Sequence, residues 1–320
     1  MATQTRQSYR GYLYIATSAF LWGVGATLGR AAFTGRLLPG QQALRPIDPL
    51  ILSQARITFA FLIFLPALLI ARGPRVLRVP RADVGRLALM GILGLAASNY
   101  TYYLAIQRTN IATAITIQYT APVWVLLYVV IVSWQMPSLK RMIAAALAVA
   151  GIGLVIGAFQ RGGLRLDVVG VVASLAAAFA FAFYSIAGHG LLARHDHWIV
   201  LLFGTMAGSL FWLVVNPPSK IFAAGYSLSQ WIFLLVFSLV SMLVPYSFYF
   251  AGLRYLEPSR AVIVSCLEPV FAIVISAAVL GEMMRPLQIV GIVVVLAAIV
   301  MIQLPDGNRS GTSAIVEPIQ

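Results

Sequence analysis

Charged side chains are scarce in this sequence. Asp, Glu, Lys and Arg make up 10% of its 320 residues, whereas hydrophobic residues make up 61%. Soluble domains carry about 25% charged residues, so the composition excludes an ordinary soluble protein and predicts a membrane protein with several spans. Lysine occurs only at Lys140 and Lys220, so arginine supplies most of the net charge of +13. These arginines lie in short loops between apolar runs, which favours orientation in a membrane over nucleic-acid binding.

Cysteine and recognisable cofactor motifs are also nearly missing. The single cysteine, Cys266, excludes an internal disulfide, and its place inside an apolar run predicts a buried thiol. No Walker A pattern occurs, so we do not expect ATP hydrolysis by this chain. The short run His195-Asp196-His197 has no further ligand nearby, and we interpret it as a solvated turn rather than a metal site. We therefore expect no metal, cofactor or nucleic-acid partner.

Long hydrophobic runs dominate what is present. Each is roughly 20 residues long, enough to cross a bilayer at about 1.5 Å per residue. The runs cover 11–32, 50–71, 84–106, 111–133, 141–159, 168–192, 198–215, 229–252, 258–280 and 286–304. This pattern predicts an all-α integral membrane protein with ten transmembrane helices. Residues 1–10 should form the N-terminal segment, and the polar residues 305–320 should form a disordered tail.

The distribution of basic residues between loops predicts the orientation. The loop after the second run is the richest, with Arg72, Arg75, Arg78, Arg81 and Arg86. Because cytoplasmic loops carry an excess of Lys and Arg, this loop and both termini are expected on the cytoplasmic side. A compact multi-pass chain without long loops is typical of the plasma membrane of bacteria, that is, their inner membrane.

The two halves of the chain align with each other when shifted by about half its length. The matched pairs include Tyr100 with Tyr246, Tyr103 with Tyr249, Trp22 with Phe181, and Pro122 with Pro269. Each half holds five runs, an odd number, so the second copy must be inverted in the membrane. Inverted repeats are typical of transporters that bind substrate near the midplane between the repeats. We therefore expect repeats 11–159 and 168–304 around a central cavity, and a carrier rather than a receptor.

Three stretches carry a family pattern. They are ATSAFLWGVGATLGRAAF near the N-terminus, Arg56 in the second run, and LEPVFAIVISAAVLGEMMRPLQIVGIVVVLAAIVMI at the end. The most specific part is in the last stretch, where Glu268-Pro269 is followed by Leu280-Gly281-Glu282 and then by Gln288 and Gly291. Over about 11–304 the chain resembles the EamA-type branch of the drug/metabolite transporter superfamily. The resemblance implies a ten-helix bundle that exports small metabolites, and the chain looks most like bacterial exporters of aromatic and other neutral amino acids. Gln135 departs from the pattern, because it lies near the place where the first repeat could carry a glutamate like Glu282 of the second.

Glu268 is the first candidate for a functional site. A carboxylate at membrane depth is costly unless it faces protein or water. It could bind a substrate ammonium group or take up a proton, or it could be a hydrogen-bonded packing residue beside Pro269. Arg56 lies one to two turns inside the beginning of its run, and we expect it to extend toward the outer membrane surface.

The remaining candidates are polar, aromatic or proline residues near the middle of the runs. Asn99, Tyr100, Tyr103, Gln118, Tyr119, Tyr246 and Tyr249 could bracket a flat side chain and hydrogen-bond an amino acid, or could only pack. Trp22, Trp124, Tyr184, His189 and Ser265 are lesser candidates. Pro122, Pro269 and Pro245 could be hinges or static bends.

The leading functional hypothesis is a secondary transporter that exports aromatic and other neutral amino acids, or related metabolites, by alternating access. A nucleotide-sugar or phosphorylated-metabolite exchanger is the alternative, but it would need cations in the cavity. An intramembrane enzyme would need paired acid and base groups, and Glu268 has no evident partner. The expected partners are a small-molecule substrate and the lipid bilayer, with a monomer as the unit.

Overall fold

The computed structural model describes residues 2–34, 46–109, 111–134, 136–159, 166–280 and 285–303, and within these ranges the regular elements are all helices. In chain order they are α1 (Ala2–Thr34), α2 (Pro49–Arg72), α3 (Arg81–Arg108), α4 (Ile111–Gln118), α5 (Ala121–Ser133), α6 (Leu139–Val155), α7 (Val168–Leu192), α8 (His197–Val215), α9 (Pro218–Ala223), α10 (Leu228–Leu253), α11 (Pro258–Ser265), α12 (Leu267–Leu280) and α13 (Pro286–Gln303). A 3₁₀ turn, Pro74–Leu77, follows α2.

Eight helical stretches of the described residues are long and apolar enough to cross a membrane. They are Pro49–Arg72, Arg81–Arg108, Thr113–Val132, Val168–Leu192, His197–Val215, Leu228–Leu253, Pro258–Ile275 and Pro286–Gln303. The predicted all-helical membrane class is therefore confirmed. α1 and α6 occupy the places of the first and fifth predicted runs. α1 begins at Ala2 rather than near Gly11, whereas Gln135, Gly281, Glu282 and the predicted tail 305–320 lie outside the described residues.

Two of the stretches are interrupted at matching positions. Between α4 and α5 the chain makes a turn at Tyr119 and Thr120, and between α11 and α12 it makes one at Cys266. Pro122 and Pro269 lie in the first turn of the helix after each interruption, where the missing N–H group leaves no helical hydrogen bond unmade. The sequence therefore sets both interruptions near the middle of their runs.

Two other helices widen locally into π-helix. These segments are Met90–Ala96 in α3 and Leu239–Leu243 in α10. Pro245 follows the second segment and cannot donate to the carbonyl of Ser241, four residues before it, as an α-helix requires. π segments are frequent at functional sites, because they leave backbone groups free for other partners.

Polar contacts show which helix ends lie on the same face of the bundle. The contacts on the first face join Arg72 Nη1 to Asp196 Oδ1 (3.5 Å), Arg254 Nη1 to Asp196 Oδ2 (3.7 Å), and His195 Nε2 to Asp83 Oδ2 (2.8 Å). We call this the arginine face, comprising 72–86, 193–197 and 254–260. On the opposite face, Gln54 Nε2 donates to the Asn216 carbonyl at 2.8 Å. α3 therefore starts on the arginine face, whereas α7 ends there.

Aromatic rings fill the bundle between the two faces. This aromatic layer consists of Trp22, Phe181, Tyr184, Tyr246, Tyr249 and Phe250, whose neighbouring ring centroids lie 5.0–6.4 Å apart. On its arginine-face side, α1 and α10 approach closely at Gly252, where an added Cβ would lie 2.6 Å from Ile15 Cδ1. Ile15 and Leu253 are fully buried there. The bundle is thus closed on the arginine-face side of the layer.

Candidate functional site

A cavity lies against the aromatic layer on the side of the opposite face. Its empty volume is about 760 Å³, counting the part open to solvent. The lining residues are Trp22, Gly25, Ala26, Gly29, Arg56, Ser98, Asn99, Tyr102, Tyr103, Ile106, Gln118, Tyr119, Phe181, Tyr184, Ser241, Tyr246 and Glu268. They come from both halves of the chain, and their mixture of aromatic side chains with a few polar and charged groups is typical of a small-molecule site.

Glu268 and Tyr119 meet across the two halves of the chain. The Tyr119 hydroxyl donates to Glu268 Oε2 at 2.5 Å. Tyr119 lies in the turn between α4 and α5, and Glu268 is the second residue of α12, directly after the Cys266 turn. The two helix interruptions therefore place this pair, and Glu268 has the partner that its sequence context did not reveal.

Arg56 lies inside the bundle, so the expectation that it extends to the membrane surface was wrong. Its side chain lines the cavity, and the residue is only 8% exposed. Nη1 donates to Asn99 Oδ1 at 2.6 Å and to the Tyr103 hydroxyl at 2.9 Å, and Nη2 donates to the Ser241 carbonyl. Hydrogen bonds to ionised donors are strong, so these contacts offset part of the cost of removing the guanidinium from water.

Helix irregularities supply two of the acceptors for Arg56. The Ser241 carbonyl lies in the π segment of α10 and receives no helical hydrogen bond from Pro245. Asn99 follows the π segment of α3, and its Nδ2 donates to the Leu95 carbonyl at 2.6 Å. This bond fixes the amide so that Oδ1 faces Arg56. The guanidinium consequently joins α3 of the first half to α10 of the second.

The structure brings most of the sequence-predicted candidates to the cavity. Asn99, Tyr103, Gln118, Tyr119, Tyr246, Glu268, Trp22 and Tyr184 all belong to its lining. Pro245 acts on the cavity indirectly, through the Ser241 carbonyl.

Five candidates have other surroundings. Two of them make ring contacts: Tyr100 packs edge-to-face on Trp212, and Trp124 packs on Phe179. The Tyr249 hydroxyl bonds to the Ser185 hydroxyl at 2.7 Å. His189 Nδ1 contacts the Leu253 carbonyl at 2.8 Å, and Ser265 donates to the Ala261 carbonyl at 3.0 Å. None of the five is among the described lining residues, and the polar groups of Tyr249, His189 and Ser265 bond to partners in the packed bundle. For these five residues, the packing alternative describes the observed geometry.

Sequence reasoning missed several lining residues. Ser98, Tyr102, Phe181 and Ser241 were not among the candidates. Two signals were available. Phe181 aligns with Trp22 in the internal repeat, and Ser241 precedes Pro245 by four residues, so its carbonyl had to find another donor.

The expected solvated turn at His195 is also wrong. The His195 side chain is 8% exposed and contacts Asp83, which is itself 5% exposed. Arg194 and Arg86 lie 3.4 and 3.7 Å from the same carboxylate. Among the residues that the structure describes, no group of three or more His, Cys, Asp or Glu side chains could hold a metal ion. The cluster is a set of ion pairs that joins α3 to the loop before α8.

Comparison with known proteins places this geometry in a family context. A YicL inner membrane transporter of Salmonella typhimurium is 23% identical over 304 residues, covering 94% of this chain and 97% of that protein. The threonine/homoserine exporter RhtA of Escherichia coli is 28% identical over 209 residues, covering 64% of this chain and 67% of RhtA. A transporter of Archaeoglobus fulgidus is 26% identical over 259 residues, 79% of this chain and 86% of that protein.

A solved crystal structure has the same fold. It superposes with a TM-score of 0.72 at 16% sequence identity, covering 93% of this chain and 99% of the other. The model of the EamA-like transporter family matches two segments, residues 9–157 and 168–304. These matches cover most of the sequence, and relatives of this kind are membrane transporters rather than enzymes. The chain belongs to the EamA-like transporter family, within the drug/metabolite transporter superfamily.

Proposed function

We propose that this transporter exports amino acids, aromatic and other neutral ones among them, by alternating access. The observation that carries the proposal is the cavity, which lies between the two halves and contains one carboxylate, one guanidinium and several aromatic rings. Such a lining suits a small molecule with charged ends and an apolar or hydroxylated body. The similarity to RhtA, a threonine/homoserine exporter, supports this substrate class.

The proposed architecture is ten transmembrane helices in two inverted repeats, 11–159 and 168–304. The face contacts support it, because α3 begins on the arginine face and α7 ends there. Matching interruptions near Pro122 and Pro269 and matching π segments also support it. Substrate sites of inverted-repeat carriers lie between the repeats near the midplane, which agrees with the place of the Tyr119–Glu268 pair.

The arginine face is proposed to be cytoplasmic, together with both termini, in a bacterial inner membrane. In that orientation the cavity lies on the outer side of the aromatic layer, so this structure corresponds to an outward-facing state. Export then requires a second state in which the layer opens toward the cytoplasm. Pro122 and Pro269 are proposed as the places where the outer and inner helix halves move separately.

Glu268 is proposed to bind the substrate ammonium group or a proton at alternate stages of the cycle. Its carboxylate is half-buried in the cavity, and Oε2 accepts a hydrogen bond from Tyr119. A proton on this group would remove its attraction for a cation, which couples proton uptake to substrate release. The Tyr119 hydroxyl can donate to the carboxylate or accept from the protonated acid.

A phosphorylated-metabolite exchanger is the second candidate, because Arg56 places a cation in the cavity. Glu268 opposes this substrate, since its negative charge lies in the same cavity as the phosphate would. The two candidates therefore differ in which charged groups the substrate must carry.

Counterflow in proteoliposomes tests the proposed function. Vesicles are preloaded with threonine, phenylalanine, lysine or a sugar phosphate, and uptake of the labelled compound is measured. Exchange of the neutral or aromatic amino acids is expected. Exchange of the sugar phosphate alone, by monodisperse protein, would contradict the proposal.

A further inference from the structure

Among the residues that the structure describes, the hydrogen bonds of Arg56 leave part of its guanidinium without a partner. The N–H groups of Nη1 are used by Asn99 and Tyr103, and Nη2 uses one of its N–H groups on the Ser241 carbonyl. Nε is buried and has no hydrogen-bond acceptor in the structure. The unused donors are thus the N–H of Nε and one N–H of Nη2, two neighbouring nitrogens of the planar group.

An unpartnered donor on a buried charged group is costly, so its acceptor is expected to come from outside the protein. The same cavity holds a second such donor, because Trp22 Nε1 is buried without an acceptor. Two buried donors without acceptors, on side chains that line one cavity, favour a ligand with oxygen acceptors. A carboxylate fits best, because its two oxygens match the parallel donors of a guanidinium edge.

Among the described lining residues, one side chain is acidic, and it does not pair with Arg56. Glu268 Oε2 accepts from Tyr119, and no ion pair within 4.0 Å joins Glu268 to Arg56, both of which the structure describes. Oε1 of Glu268 accepts no hydrogen bond from the described residues. The cavity therefore presents one anion-binding edge and one free carboxylate oxygen, contributed by opposite halves of the chain.

We propose that Arg56 and Glu268 together recognise the zwitterionic α-amino acid backbone, with the substrate carboxylate on the Nε–Nη2 edge of Arg56 and its ammonium group on Glu268. This inference rests on the proposed function and names its specificity-determining pair. Because α2 carries Arg56 and α12 carries Glu268, the substrate bridges the two halves. A substrate that lacks either charge leaves a buried ionised group without a partner, which is the strongest source of discrimination by a binding site.

Competition in the threonine counterflow assay tests the pair directly. The competitors are threoninol, which keeps the ammonium group and lacks the carboxylate, and 2,3-dihydroxybutanoate, which keeps the carboxylate and lacks the ammonium group. The wild-type protein should be inhibited by unlabelled threonine, with each analogue weaker by about tenfold to a hundredfold, as expected from the loss of a charge-assisted interaction.

Arg56→Lys keeps the positive charge and removes the parallel donor edge. We expect it to raise the KM for threonine by about tenfold or more while reducing the preference for threonine over threoninol. Arg108→Gln, at an exposed position near the end of α3, is the matched control and should leave KM unchanged. If Arg56→Lys does not yield folded protein, competition by the two analogues in the wild-type protein still tests whether the substrate needs both charges.

The outcomes separate the two proposals. Equal inhibition by threonine and threoninol, with threonine transport intact, would overturn the pair and leave amino acid export in place. Unchanged KM and selectivity in folded Arg56→Lys would do the same. Exchange of the sugar phosphate without any amino acid exchange would overturn both.

Discussion

At the scale of single residues, two charged side chains line the cavity, and they differ in how many hydrogen bonds fix them. Glu268 is held through one hydrogen bond from Tyr119, which leaves its second oxygen free. Arg56 is held through three hydrogen bonds to two helices, and its ring contacts add to these, with Cζ 5.9 Å from the Tyr103 ring centroid and 5.7 Å from that of Phe237. In the proposed cycle, Glu268 can therefore change partners, whereas Arg56 is a fixed anchor.

Glu268→Gln tests the proton role at this scale. The amide is nearly the same size and can still contact Tyr119, but it does not titrate. If Glu268 takes up a proton during the cycle, threonine counterflow should lose its pH dependence while the protein remains monodisperse. Glu257→Gln, an exposed glutamate whose side chain is 49% exposed, is the control and should keep the wild-type pH profile. A wild-type pH profile in Glu268→Gln would reject the proton role.

Two glycines of α1 offer a matched pair of substitutions beside Arg56. A Cβ at Gly25 would lie 2.8 Å from Ser241 Cβ, whereas a Cβ at Gly29 would lie 3.7 Å from the nearest atom, Cζ of Phe237. Gly25→Ala should displace Ser241, whose carbonyl binds Arg56, and raise the KM for threonine severalfold. Gly29→Ala should have a much smaller effect. The KM of each variant is measured from initial rates of counterflow. Equal effects of the two variants would contradict the role of the Ser241 carbonyl in positioning Arg56.

At the scale of helices, irregular backbone creates the site. The turns before Pro122 and Pro269 bring Tyr119 and Glu268 together, and the π segment before Pro245 frees the carbonyl that binds Arg56. Irregular backbone at membrane depth is tolerated where it lines a cavity or is satisfied by side chains. Here the side chain of Arg56 satisfies the backbone of α10, so the same interaction stabilises the helix and positions the guanidinium.

Pro245→Ala tests this link between backbone and site. The new N–H group can donate to the Ser241 carbonyl and compete with Arg56 for it. We expect thermal stability to be kept or raised, because a helical hydrogen bond is restored, while the KM for threonine rises. Pro66→Ala, at an exposed position inside α2, is the control for removing a helix proline and should leave KM unchanged. An unchanged KM in Pro245→Ala would show that the π segment does not affect substrate binding.

Sequence reasoning anticipated the elements better than the contacts between them. The apolar runs predicted the helical segments to within a few residues for most elements, because hydropathy over a bilayer-length window is a strong signal. The position of Arg56 was mispredicted, because the usual rule for cations near a helix end assumes a lipid-facing side chain, and the acceptors Asn99 and Ser241 come from helices distant in sequence. His195 was misjudged for the same reason, since Asp83 approaches it only through the fold.

At the scale of the whole molecule, the two sides of the aromatic layer differ. Toward the arginine face, Ile15, Leu253 and Leu256 are buried, and the ion pairs of Asp83 tie α3 to the loop before α8. Toward the opposite face, the cavity lining continues to Gly29 and Ile106 near the ends of α1 and α3. The asymmetry corresponds to one of the two states that alternating access requires. The proposed cycle thus needs the closed side to open as the cavity side closes.

Thiol labelling at two positions tests alternating access most directly. Ile106→Cys places a thiol in the cavity lining, and Leu256→Cys places one on the closed side, where Leu256 is 2% exposed. The native Cys266 is buried, so the unmodified chain gives the background. With a membrane-impermeant reagent on both sides of proteoliposomes, we predict labelling of Ile106→Cys without substrate, and reciprocal changes when threonine is exchanged: less at position 106 and more at position 256. Labelling that changes in the same direction at both positions, or does not respond to threonine while exchange proceeds, would contradict alternating access through this cavity.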